Sequence, residues 1–144
     1  MYTGLQHFHS FMAYLVLLGL IISIVFAFMG MSGNKPFTDK DRKRGLLGLI
    51  PAHLQWVLGV ILYFLSPKGI DMATEGFMKV SEQRFYVLEH PLTMIIALIL
   101  ITVGYARSKR LQDDKKRFSS IAVFYTLALI LILARIPWGE WPGN

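Results

Sequence analysis

Four histidines, His7, His9, His53 and His90, are the side chains with the widest chemistry in this chain. An imidazole ligates haem iron or a transition metal, shuttles a proton, or hydrogen-bonds a polar ligand. His7 and His9 stand at the start of one long apolar run, and His90 follows Glu89 near the start of another. His53 lies inside a third run, two residues before Gln55, and Arg84 and Arg135 sit at run ends. Cysteine is absent, which removes thiolate metal sites, disulfides and a lipoprotein anchor. No nucleophile motif, phosphate-binding glycine loop or metalloprotease pattern occurs, so no stand-alone enzyme activity follows from motifs.

The elements that must position these residues are apolar and long. Of 144 residues, 54% are hydrophobic and only 17% charged, and the mean hydropathy is +0.49. Soluble domains carry about 25% charged residues. The charges are also segregated, leaving four spans at about 8–31, 45–66, 85–106 and 118–136. Each is near the roughly 20 residues that cross a bilayer. Residues 1–144 are therefore predicted to form one all-α domain, an integral membrane four-helix bundle, whose fourth span is the shortest. The first span is not a cleavable signal, because no Lys or Arg precedes it and its apolar core is too long.

Most cations flank span ends. Lys35, Lys40, Arg42, Lys43 and Arg44 lie between spans one and two, and six more lie at 107–117 between spans three and four. The positive-inside rule places both segments in the cytoplasm and both termini outside. The net charge of +6 thus describes topology, and the expected contacts of these segments are anionic lipid headgroups rather than nucleic acid. The outer segment Thr74–Leu88 mixes apolar and charged residues as a short interfacial helix would, and Trp138 and Trp141 suit an interfacial aromatic belt.

Helices pack in lipid through small residues. In span one, His9, Met12, Val16, Gly19, Ser23, Ala27 and Gly30 recur at helical spacing and form an inward stripe, while His7 points elsewhere. Span two offers Gly45, Gly48, Ala52, Gln55, Gly59, Tyr63 and Ser66, with His53 at the flank of that stripe. Span three offers His90, Ala97 and Gly104, and span four is ambiguous between an Ala128 side and an Ala122–Thr126 side. His9 and His90 therefore face inward near the outer surface. His53 is deeper, offset from His90 by about 11 Å at the helical rise.

Inward imidazoles from different helices at one level suit a haem b, with His9 and His90 as axial ligands to the iron and Arg135 and Arg84 near the propionates. His53 could serve a second, deeper haem. Three other readings stay open. A non-haem metal could use His7, His9, Glu89 and His90. A quinone could use His53 with Gln55, Trp56 or Tyr63. A polar network could pair Glu89 with Arg84 or Arg135, with polar side chains satisfying the carbonyls of Leu47 and Val87 that Pro51 and Pro91 release. The small size and incomplete catalytic set also suit an accessory subunit of a larger respiratory or envelope complex, or a homo-oligomer.

The stretches His7–Ser10 (HFHS), His53–Pro67 (HLQWVLGVILYFLSP), Glu89–Met94 (EHPLTM) and Arg135–Trp138 (RIPW) over four spans resemble a family of short bacterial membrane proteins commonly labelled "cytochrome B". The resemblance covers nearly the whole chain. It implies a four-helix protein of the bacterial inner membrane with b-type haem, and it supplies no reaction; electron transfer within the membrane or to an outer-face partner is what the inward histidines suggest. It marks His7, His9, His53, Gln55, Glu89, His90 and Arg135. The two-histidine helix of quinol-oxidising cytochromes b is absent, which sets the chain apart from those enzymes.

Overall fold

Helix boundaries fall where charge and turn chemistry interrupt the apolar runs. The computed structural model describes residues 1–142. It contains α1 (Tyr2–Ser32), α2 (Asp39–Leu65), α3 (Ser81–Arg110) and α4 (Asp114–Ala134), and no strand occurs among the described residues. Gly33 follows α1, and Asn34 takes a positive φ of 48° in the turn. The Asp41 carboxylate accepts the Thr38 N–H at 2.9 Å and closes a capping box on α2. Asp113 caps α4 by accepting the Lys116 N–H at 3.0 Å. All four helices are long and apolar enough to cross a membrane, which points to a multi-pass membrane protein.

The helices run past their apolar cores. At 31 residues α1 is longer than the hydrocarbon thickness requires, whereas α4, at 21 residues, is the shortest. The expected interfacial helix over 74–88 is not formed as a separate element. Gly76, at φ 78°, introduces a single tight turn at Phe77–Lys79, and from Ser81 the chain is already the first turn of α3.

The bundle is up-down-up-down. α1 packs on α2 and α4, α3 packs closely on α4 and more loosely on α2, and α1 and α3 lie across the diagonal. The loops 33–38 and 111–113, with the basic helix turns that flank them, meet at one end, where the Phe37 N–H bonds to Asp114 at 3.0 Å, and the start of α1 and residues 136–141 lie together at the other. The buried stripe of α1 is Met12, Val16, Gly19, Leu20, Ser23, Ala27 and Gly30, close to the predicted one. On α4, Ala122 and Ala128, one from each predicted side, are buried about the fully enclosed Tyr125, while Thr126 is partly buried and Arg135 exposed.

The half of the bundle towards the basic segments is packed tightly. A Cβ on Gly19 would stand 1.9 Å from the Leu47 carbonyl oxygen, the carbonyl that Pro51 leaves without its helical donor. The backbones of α1 and α2 touch there, and only glycine fits. Polar side chains then bond across the seams. Ser23 Oγ donates to the Arg44 carbonyl at 2.7 Å, Tyr125 OH to Gly45 at 2.7 Å, and Ser120 Oγ to Gly104 at 2.9 Å. At the end itself, Phe37 packs edge-on to Phe118, and the Arg117 guanidinium lies 4.1 Å from the Phe37 ring centroid.

Two substitutions test this account. Gly19→Ala should force α1 and α2 apart and destabilise the protein by about 1–3 kcal/mol. Tyr125→Phe, which keeps the ring, should cost ~1 kcal/mol. Thermal unfolding in one detergent should show the larger loss for Gly19→Ala, and equal losses would refute the close crossing.

Candidate functional site

Towards the termini the small residues give way to larger gaps, and a cavity of about 560 Å³ opens between α1, α2 and α3. Its volume lies within the range of small-molecule sites. The deep wall is apolar, built by Val16, Leu17, Ala97, Leu98 and Ile101. Nearer the mouth, His9 of α1, Gln55 and Tyr63 of α2 and His90 of α3 bring polar groups to the same space. Ile136, Pro137, Glu140 and Trp141, which follow α4, form the remaining wall.

His90 is aimed by an irregularity in α3. Residues Phe85–Glu89 form a wide π turn in which the His90 N–H bonds to the Phe85 carbonyl, five residues back. Such turns arise where one extra residue is accommodated, often at functional sites. Pro91 then has no N–H to offer the Val87 carbonyl. Tyr63 OH supplies the missing donor from α2 at 3.1 Å. The imidazole is fixed as well: His90 Nδ1–H donates to the Arg135 carbonyl at 2.6 Å. A carbonyl only accepts, so the proton is on Nδ1 and Nε2 is the basic nitrogen.

His9 is held differently. Its backbone carbonyl accepts Gln55 Nε2–H at 2.9 Å, which ties α1 to α2. Its ring packs beside Gly59, where a Cβ would lie 3.3 Å from His9 Cε1. His9 Nδ1 and Gln55 Oε1 are both buried with no hydrogen-bond partner among the described residues. Buried polar atoms are almost always bonded, so two orphans on the wall of one cavity mark a place where a ligand has work to do.

The other candidate residues lie elsewhere. His7 is exposed. His53 lies off the cavity on the outer surface of α2, where its Nδ1–H donates to the Leu49 carbonyl at 2.9 Å and Thr102 Oγ1 of α3 stands 3.3 Å from Nε2. Glu89 pairs with Arg84 at 2.8 Å and has Arg135 at 3.9 Å. Arg84 also donates to the Met78 carbonyl at 2.8 Å, and Arg135 Nη1 to Ala134 at 3.0 Å. Neither arginine is on the cavity wall; Arg135 serves it through the carbonyl that fixes His90. The set His7, His9, Glu89 and His90 does not converge, and no three His, Asp or Glu side chains form a metal site among the described residues.

Lys68, Tyr86 and Glu140 line the cavity and were not legible as site residues. Lys68 follows Pro67 in a turn, and its place as the first charge after the uncharged run Gly45–Ser66 was the one available signal. Lys68 pairs with Glu140 and holds that carboxyl below the usual carboxylate range. Trp141 Nε1–H donates to the Ser10 carbonyl at 3.1 Å, and its ring stacks on Tyr14 at 4.7 Å between centroids. The segment after α4 is thus fastened to α1 and to the end of α2.

No protein-family model, curated protein or solved structure matches this chain.

If Tyr63 serves the Val87 carbonyl, Tyr63→Phe should leave the bundle folded but loosen the π turn. Amide exchange at residues 85–90 is expected to rise several-fold, with little change at residues 101–108. Uniformly raised or unchanged exchange would contradict this role.

Proposed function

We propose that this chain is a small b-type cytochrome-like membrane protein that binds haem between α1 and α3 and passes single electrons to a partner. One observation carries the reading: two imidazoles from diagonally opposed helices line a single, otherwise largely apolar cavity. The donor set suits the group. His90 presents Nε2 because Nδ1 is committed to a backbone carbonyl, the arrangement that usually orients a metal-bound histidine. His9 has a buried nitrogen without a partner, and Gly59 makes room for its ring.

When bound, haem supplies a one-electron iron couple. The chain's own residues do the rest. His9 and His90 would hold the iron, and a pair of imidazoles would suit electron transfer rather than oxygen chemistry. The apolar deep wall excludes water and lowers the local dielectric. Gln55 and Tyr63 set the spacing of α1, α2 and α3 through backbone carbonyls. Produced in haem-replete cells, the purified protein is expected to show a Soret band that shifts on reduction. His9→Ala and His90→Ala should each abolish or displace it, while His53→Ala should leave it unchanged. A folded protein without a Soret band would reject the reading.

A second reading has its own observation. His53 and Thr102 form a polar pair exposed on the outer face of α2 and α3. Polar groups are costly against lipid. A helix of another membrane protein, or of a second copy, would cover them, as in an accessory subunit of a larger complex. Absence of the Soret band together with co-purification of another membrane protein would favour it.

The orientation that goes with either reading has both termini outside the cytoplasm, in a bacterial inner membrane. The arrangement of the basic segments at one end supports it. Because the chain has no cysteine, single substitutions report topology directly. In intact cells Gly76→Cys should react with a membrane-impermeant maleimide and Lys40→Cys should not; the reverse pattern would invert the topology.

A further inference from the structure

The cavity has two chemically distinct ends, and only the imidazole end has been used so far. At its mouth stands Lys68, which is the only Lys or Arg on the wall among the described residues. Its position is set by local structure. Its backbone N–H bonds to Ser66 Oγ at 3.1 Å, directly after α2 ends, and the ammonium lies 5.1 Å from the centroid of the Tyr86 ring. Two carboxylates attend it: Glu140 in direct contact and Glu82 at 3.8 Å. Among the described residues the rest of the wall carries no other cation, its polar groups being neutral ones such as Gln55, Tyr63 and the two imidazoles, and its deep part is apolar.

An ammonium has three N–H donors and is strongly hydrated, so it is not placed at an apolar cavity without an acceptor. Glu140 is an acceptor that comes from the separate segment after α4, not from the helices that build the imidazole end. Lys68 lines the same cavity as His9 and His90, so one ligand can meet all three. We propose that Lys68 is the receptor for an acidic group of the cavity's ligand, and that Glu140 holds the place of that group when the cavity is empty. The inference rests on the haem reading and sharpens it, because the acidic groups are then the propionates. It assigns them to Lys68 instead of Arg84 and Arg135, whose guanidinium groups are engaged off the wall.

Glu140 then competes with the ligand for one cation. Removing its charge should tighten binding, and removing the Lys68 charge should loosen it. Both effects should vanish for a ligand whose acids are blocked. The test titrates the purified full-length protein, freed of haem, with haem and with haem dimethyl ester, following the Soret shift. Wild type is expected to bind haem at least about tenfold more tightly than the ester, as a charge-assisted hydrogen bond would give. Lys68→Met should bring haem down to the ester's affinity and leave the ester unchanged. Lys68→Arg should keep the preference, and Glu140→Gln should enlarge it several-fold. Equal affinity for both ligands in wild type, or an undiminished preference in a folded Lys68→Met protein, would overturn the Lys68 assignment while leaving haem binding intact. No Soret shift with either ligand would overturn the haem reading and the assignment together.

Discussion

The structure depends on side-chain donors that reach backbone carbonyls of neighbouring helices. Helices that are apolar on every side gain nothing from the hydrophobic effect by choosing one face over another in lipid. Close backbone approach and interhelical hydrogen bonds must choose instead. Ser23, Tyr125, Ser120, Gln55, Tyr63, His90 and Trp141 each donate to a carbonyl on another segment. Together they stitch α1 to α2, α2 to α3 and α4 to both α2 and α3, and they tie the segment after α4 to α1 and α3. Each bond is modest alone. Their joint effect is to define the rotation of each helix, which generic apolar packing would leave open.

The same interaction behaves differently at the two ends. Near the basic segments the donors are short or fully enclosed, and Gly19 lets α1 meet α2 at backbone distance. No space remains between the helices. Near the termini the donors are long: Gln55, Tyr63, His90 and Trp141 span wider gaps, and the cavity is what those gaps enclose. The two prolines divide along this line. The carbonyl released by Pro51 is met by the bare backbone at Gly19, whereas the one released by Pro91 is met by a tyrosine hydroxyl. One proline therefore tightens the bundle and the other opens it.

Much of the architecture was legible in the sequence because it follows from spacing. The inward stripe of α1 recurs nearly residue for residue, and His9 and His90 were assigned inward faces by helical periodicity alone. The carbonyls of Leu47 and Val87 were also recognisable as needing help, since proline chemistry is local. What was not legible depended on folding back. Nothing in the order of residues tells that Glu140 returns to Lys68, or that Trp141 reaches Ser10, because these contacts bridge half of the chain or more. The arginines illustrate the same limit. Arg84 and Arg135 stand at suitable depths, but the π turn at Phe85–Glu89 and the end of α4 direct their guanidinium groups to Glu89 and to carbonyls. Helical periodicity cannot anticipate an inserted residue that changes the periodicity.

The position of the last wall has a consequence for biogenesis. A ribosome delivers His9 first and residues 136–141 more than a hundred residues later. Once α3 has been made, the chamber has its floor and both imidazole-bearing helices but no cover over this side. That wall is therefore completed last, when residues 136–141 fold back onto α1 and the end of α2.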